Sequence, residues 1–382
     1  GTVTVGVQLQ ATTDANNGLI NLGTLAVDGS VRLITNGTGN ATVVNDAGLK
    51  LKASTVGGNL SATATTGNME DSGVLTIAGT SSFTTSATDA DIILNNANAF
   101  TGAVVLNTTG SSGNATVVDA SGLNLGASTV GGNLSATATT GNMEDSGVLT
   151  ISGTSSFTTS ANNGTITLNN TNELTGAVAL NTTGSTGHAT IDNGITALDI
   201  GVSAVGGNLT LVSGNQSGIT DSGSVEVEGN LVARTNANSG KINLGTLAVD
   251  GTVALATHGT GNATVVNSTG LKLRHGSSVG GNLSATATTG NITDSTALTI
   301  KGTSSFITSA NNADIILNNT NVFTGAVALN TTGLTGHATI DNGITALNIG
   351  ASSVGGNLTL TGGNVSGIID SGTVTVGGNL AA

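Results

Sequence analysis

Proline, cysteine, tryptophan and tyrosine are all absent from this 382-residue chain. Average usage would supply roughly 19 prolines in such a length. A residue that common is not lost by chance, so something excludes it. Charged residues make up only 8%, against about 25% in ordinary domains. The acidic excess, 21 Asp and Glu against 8 Lys and Arg, is spread thinly and forms no tail. That balance disfavours nucleic acid, whose phosphates need clustered cations. Five Phe and no other aromatics also remove the platforms on which unpaired bases stack. Without cysteine there are no disulfides, no thiolate metal sites and no thiol nucleophile. No apolar run approaches the roughly 18 residues of a membrane span. The opening GTVTVGVQLQ shows neither the basic segment nor the apolar core of a signal peptide.

What is present is repetition. The string Val-Gly-Gly-Asn-Leu begins at Val56, Val130, Val205, Val279 and Val354, at a nearly constant period. Self-similarity at a fixed period overrides ordinary domain counting. The chain is therefore expected to be one repetitive element: a partial repeat over 1–55, full repeats over 56–129, 130–204, 205–278 and 279–353, and a partial repeat over 354–382. Because both flanks fall inside a repeat, the chain is expected to be a window onto a longer protein, or to meet copies of itself end to end.

Within a repeat, apolar-small-Gly beginnings recur at Val56, Ile77 and Phe100 before Val130 restarts the cycle, the last interval being the longest. Read as coil starts, they give three coils of about 25 residues per repeat and about 15 coils in all. Short stretches such as Leu75-Thr-Ile77 and Val104-Val-Leu106 alternate in the manner of half-buried strands. Turn-formers such as Thr66-Gly-Asn68, Asp71-Ser-Gly73 and Asn95-Asn-Ala-Asn98 separate them. The fold expected is all-β, a right-handed parallel β-helix, about 75 Å long at ~4.8 Å per coil. It accounts for the missing proline, which cannot donate the backbone bond that a neighbouring coil needs. Phe83, Phe157 and Phe306 occupy equivalent positions, as do Phe100, Leu174 and Phe323, and all are assigned to lumen packing. Asn59, Asn133, Asn208, Asn282 and Asn357 recur at turns, where amides can stack along the axis as in cross-β assemblies.

Candidates for chemistry are few. Asp71, Asp145, Asp221, Asp294 and Asp370 align by repeat, but three coils apart they are too distant to act as a carboxylate pair. They are read as turn-stabilising. His188 and His337 stand where Asn114 and Asn262 stand in other repeats, and His258 and His275 are isolated, so no metal-binding spacing arises. Gly-Gly is followed by Asn-Leu, not by the Gly-x-Asp of calcium-binding nonapeptides. No catalytic residue, cofactor or metal ligand is assigned. Thr63-Ala-Thr65 and Thr137-Ala-Thr139 raise ice binding as a minor alternative, weakened because the pattern recurs only once per repeat. Asn-x-Ser/Thr acceptors such as Asn36, Asn40, Asn107 and Asn114 are frequent, as composition alone predicts.

Stretches such as VGGNLTLVSGNQSGITDSGSVEVEGNLVA, from Val205, resemble the repeat regions of filamentous-haemagglutinin-like exoproteins. The resemblance extends over essentially the whole chain. It implies a β-helical adhesin secreted by the two-partner or autotransporter route to the surface of a Gram-negative bacterium. No Arg-Gly-Asp tripeptide occurs, and eight scattered cations build no heparin-binding cluster. The expected function is that of an extracellular structural shaft, not an enzyme, mediating attachment or cell–cell contact. Its expected partners are itself, end to end or laterally, or glycans and proteins of a host or neighbouring cell. The alternative is a self-assembling subunit of a filament, sheath or biofilm matrix fibre.

Overall fold

Where apolar residues alternate with Ser, Thr and Asn, the chain forms short strands, and the Gly- and Asn-rich pieces between them turn it back. The computed structural model describes residues 1–382 and contains 49 strands and no helix. Every strand pairing is parallel. The fold is a parallel β-solenoid of about 18 turns. Packing divides the chain into two units, Gly1–Asp192 and Asn193–Ala382.

In the first unit the chain passes alternately between two sheets. On one face Ala41, Leu60, Ser81 and Val104 are stacked partners on successive coils. On the other, Val56, Ile77 and Phe100 stack in the same way. The mean coil is thus about 21 residues, shorter than the roughly 25 expected from sequence, and this accounts for the larger number of turns. From Ala41 to its equivalent Ala115 the chain makes seven face-to-face crossings, so one repeat is three and a half turns. Ala41 pairs within one sheet and Ala115 within the other. The long interval between Phe100 and Val130 is therefore one and a half turns.

An odd number of half-turns makes successive repeats face opposite ways. Each coil has a straight side, formed by one longer strand, and a bent side, commonly two short strands around a corner. On one face the straight strands Ala41–Asn45, Leu60–Ala64, Ser81–Thr88 and Val104–Thr109 give way to the bent pairs Leu123–Leu125/Ser128–Val130 and Met143–Asp145/Leu149–Ile151. The other face does the reverse, with Ala115–Asp119, Leu134–Ala138 and Ser155–Asn162 straight. The second unit alternates likewise, its Leu209, Leu231 and Val253 stacking on successive coils.

The lumen is apolar. Phe83, Phe157 and Phe306 are fully buried, each between an Ala of the coil before and a Leu of the coil after: Ala62 and Leu106, Ala136 and Leu180, Ala285 and Leu329. Phe100 and Phe323 are also buried and meet Phe83 and Phe306 edge-to-face, at centroid distances of 5.8 and 5.7 Å. Leu174 takes the equivalent place in the repeat that contains Phe157 and is likewise buried.

The Gly-Gly of the signature follows from the stacking. Gly37 has φ +61°, and its carbonyl oxygen would collide with a β-carbon on Gly57. A β-carbon on Gly58 would meet the Asn40 side chain.

Candidate functional site

The aligned aspartates sit at the corners of the bent sides, where the chain breaks from one short strand to the next. Asp71 and Asp145 are buried on opposite faces of the first unit, and Asp294 is buried in the second. Each carboxylate accepts from a cluster of Asn one coil later in the chain. For Asp145 the donors are the Asn169 and Asn170 backbone N–H groups at 3.0 and 3.2 Å, with Nδ2 of Asn170 and of Asn172 at 2.8 and 2.7 Å. Asp71 receives the same set from Asn95, Asn96 and Asn98, and Asp294 from Asn318, Asn319 and Asn321. At Asp221 the donors are Gly245 N, Thr246 N and the Thr246 hydroxyl. Asp370 is exposed. A carboxylate with its lone pairs committed to neutral donors closes a corner. It is not held beside a second carboxylate in the manner of a hydrolase.

The recurring asparagines form ladders along the turns. Asn59 N–H donates to Asn40 Oδ1, and Asn59 Oδ1 accepts from Thr80 N–H, at 2.8 and 2.9 Å. Asn133 repeats this between Asn114 and Thr154, and Asn282 between Asn262 and Thr303. Asn208 accepts from Asn230, and Asn357 from Asn379. Each rung joins a side-chain oxygen to a backbone N–H of the next coil. Because repeats are three and a half turns apart, Asn59 and Asn133 lie on different faces and belong to different ladders. His337 takes a rung in place of Asn, its Nδ1 accepting from Asn357 N–H at 2.8 Å. His258 and His275 are exposed.

Beside the corners runs a polar groove that returns with the repeat. One instance, about 730 Å³, is lined by Asp28, Gly48, Lys50, Asn68 and Glu70, among others. Lys50 and Glu70 form an ion pair across it at 3.0 Å, both about half exposed. The equivalent groove one repeat on, about 290 Å³, has Asn124 opposite Glu144. In the second unit, at about 350 Å³, Lys272 stands opposite Thr293. Each of these two copies keeps one member of the charged pair, whereas the equivalent pairs Asp199/Thr220 and Asn348/Ile369 keep neither. Where both are present, the lysine and glutamate are partners of one another. No cluster of three or more His, Asp or Glu is arranged to hold a metal. No helix is long and apolar enough to cross a membrane.

Sequence patterns miss two elements of these networks. Asn96 and Asn98 read as turn-formers, yet they are partners of the Asp71 carboxylate one coil earlier. Asp119 carries no motif at all, yet it is fully buried, and burial raises its carboxyl above the usual range. The signal available was its alignment with Asn45, Asn193, Asn267 and Asn342.

Five consecutive stretches, residues 38–107, 112–181, 186–256, 260–330 and 335–382, match a family described as repeats of unknown function (DUF5649). No curated protein and no solved structure matches the chain significantly.

Proposed function

Since the chain belongs to this family of repeats of unknown function, we propose its role from its geometry: a structural spacer, the shaft of a large secreted adhesin. On this reading it stands on the surface of a Gram-negative bacterium and carries a binding element towards host or neighbouring-cell glycans or proteins. The observation that carries the proposal is regularity. The aligned carboxylates of three repeats are spent on the same internal corner, and the charged pair of the groove is complete in only one of the repeats. Sites for chemistry are usually local departures from such consistency. A spacer needs uniform length and stiffness, which continuous parallel pairing supplies.

A second reading, assembly into a sheath or matrix fibre, is favoured by a different observation. Within the first unit the same uncharged surface occurs on both faces. Ser61, Thr63, Ser82 and Thr84 project from straight strands on one side, and Ser135, Thr137, Ser156 and Thr158 from the other. Hydroxyls both donate and accept, so such a surface complements a copy of itself.

Electron microscopy of native surface material labelled with antibody to this segment tests both. Single thin projections of fixed length, anchored at one end, support the shaft and remove the fibre. Filaments of indefinite length, with coil spacing near ~4.8 Å along the axis, support the fibre and remove the shaft.

A further inference from the structure

Five positions at the same place in the repeat, Asn45, Asp119, Asn193, Asn267 and Asn342, are all essentially inaccessible to solvent. Four are amides and one is an acid. Where the amide contacts are clearest, it clasps two coils together. Asn267 Oδ1 accepts from Val249 N–H at 2.8 Å, while Nδ2 donates to the carbonyls of Val249 and Gly270 at 3.0 and 2.7 Å. Asn45 does the same to Val27 and Gly48, and Asn342 to Phe323 and Ala346. At Asp119 the donating half of the clasp is missing. Oδ2 accepts from Phe100 N–H at 3.2 Å, and Oδ1 turns to the N–H and hydroxyl of Ser121 at 2.9 and 3.0 Å. An ionised carboxylate has no hydrogen to offer the carbonyl groups that the amide serves elsewhere.

No cation offsets that charge. Lysine and arginine are absent from residue 53 to the end of the first unit. The strands packed against Ala115–Asp119, Ile92–Phe100 before and Leu134–Ala138 after, contain no titratable residue, nor does the turn to Leu123–Leu125. The charged groups nearest in the stack are carboxylates. Asp71 is held by Asn98, the register partner of Asp119, and Glu144 and Asp145 stack on Asn124 and Leu125. Burial pushes the carboxyl up, and this outweighs the hydrogen bonds from Ser121 and Phe100, which favour the charged form.

We propose that Asp119 is an acid-strengthened clasp: protonated, it donates as the asparagines do and locks the coils at Phe100 and Asp119. Ionised, it leaves this stretch the first to open. The direction follows from linkage. A carboxyl whose native pKa lies above its unfolded value binds more protons in the native state, so its contribution to stability is lost as pH rises through the native pKa. Acidification tightens the clasp.

Hydrogen exchange on the full chain, wild type against Asp119→Asn at pH 7.5 and pH 5, tests this. At pH 7.5 the variant should exchange at least ten-fold more slowly over residues 98–122. At pH 5, after correction for intrinsic rates, the gap should narrow. Equal protection at both pH values, or a variant that opens more readily at pH 7.5, overturns the proposal. Asn267→Asp supplies the converse, because Thr269 stands where Ser121 stands. It should import the same pH dependence into residues 247–270, and failure to do so also counts against the clasp.

Discussion

The carbonyl oxygen of Gly110 lies far inside van der Waals contact of the point where a β-carbon on Gly131 would stand. Gly110 has φ +82°, a left-handed conformation that turns this carbonyl towards the next coil. The approach recurs between Gly259 and Gly280 and between Gly333 and Gly355. The first glycine of the signature is therefore required by its neighbour one coil earlier. Gly131→Ala should lose about 3 kcal/mol or more, since the obstacle is backbone and cannot swing away. Gly23→Ala, with nothing closer than 3.9 Å to the new carbon, should be neutral or gain up to about 1 kcal/mol. Chemical denaturation of the two variants checks the contrast.

Removing the corner carboxylate should be costly although few of its partners face solvent. Asp145→Ala strands a buried donor on Asn172 and half-buried donors on Asn170, and stranded buried donors cost about 1–3 kcal/mol. The loss should appear as a lower denaturant midpoint and faster hydrogen exchange over residues 143–172. An unchanged midpoint would mean that the corner is held by other contacts.

The aromatic pair has a built-in comparison. Phe100→Leu converts one repeat into the arrangement around Leu174, and should cost about 1 kcal/mol through loss of the edge-to-face contact with Phe83. Phe83→Ala leaves a lumen cavity and should cost about 3–5 kcal/mol. Thermal unfolding that ranked the two the other way would argue against this packing.

The Lys50–Glu70 pair, by contrast, is expected to matter little. Both side chains are about half exposed, and such pairs contribute roughly 0–1 kcal/mol. Lys50→Asn reproduces the Asn124 version, so its stability should lie within about 0.5 kcal/mol of wild type and become indistinguishable in high salt. A larger change would give the groove a structural role that its later copies lack.

The fold was largely legible in the sequence because its causes are local: period-two alternation, glycine and asparagine turns, and the exclusion of proline from paired backbone. The coil length was not. Val56, Ile77 and Phe100 do stack as their spacing implies, but the extra half-turn before Val130 lacks an apolar-small-Gly beginning. Its turn after Asp119 is closed by side-chain bonds to Ser121, which leave no periodic mark. The Asp71 network was hidden for a related reason. Aspartate and asparagine announce turns singly, and only the winding of the chain brings Asn96 and Asn98 onto a carboxylate one coil away.

Seven half-turns per repeat also give the solenoid a parity. Gain or loss of one repeat by recombination between near-identical coding segments would do more than change length. Within a unit it would exchange the straight and bent sides of every coil beyond the junction, so that a strand facing one way would face the other. Two repeats would restore the original heading. Within a unit, even and odd numbers of repeats thus present opposite faces at the far end, so the variants differ in the arrangement of their surfaces and not only in length.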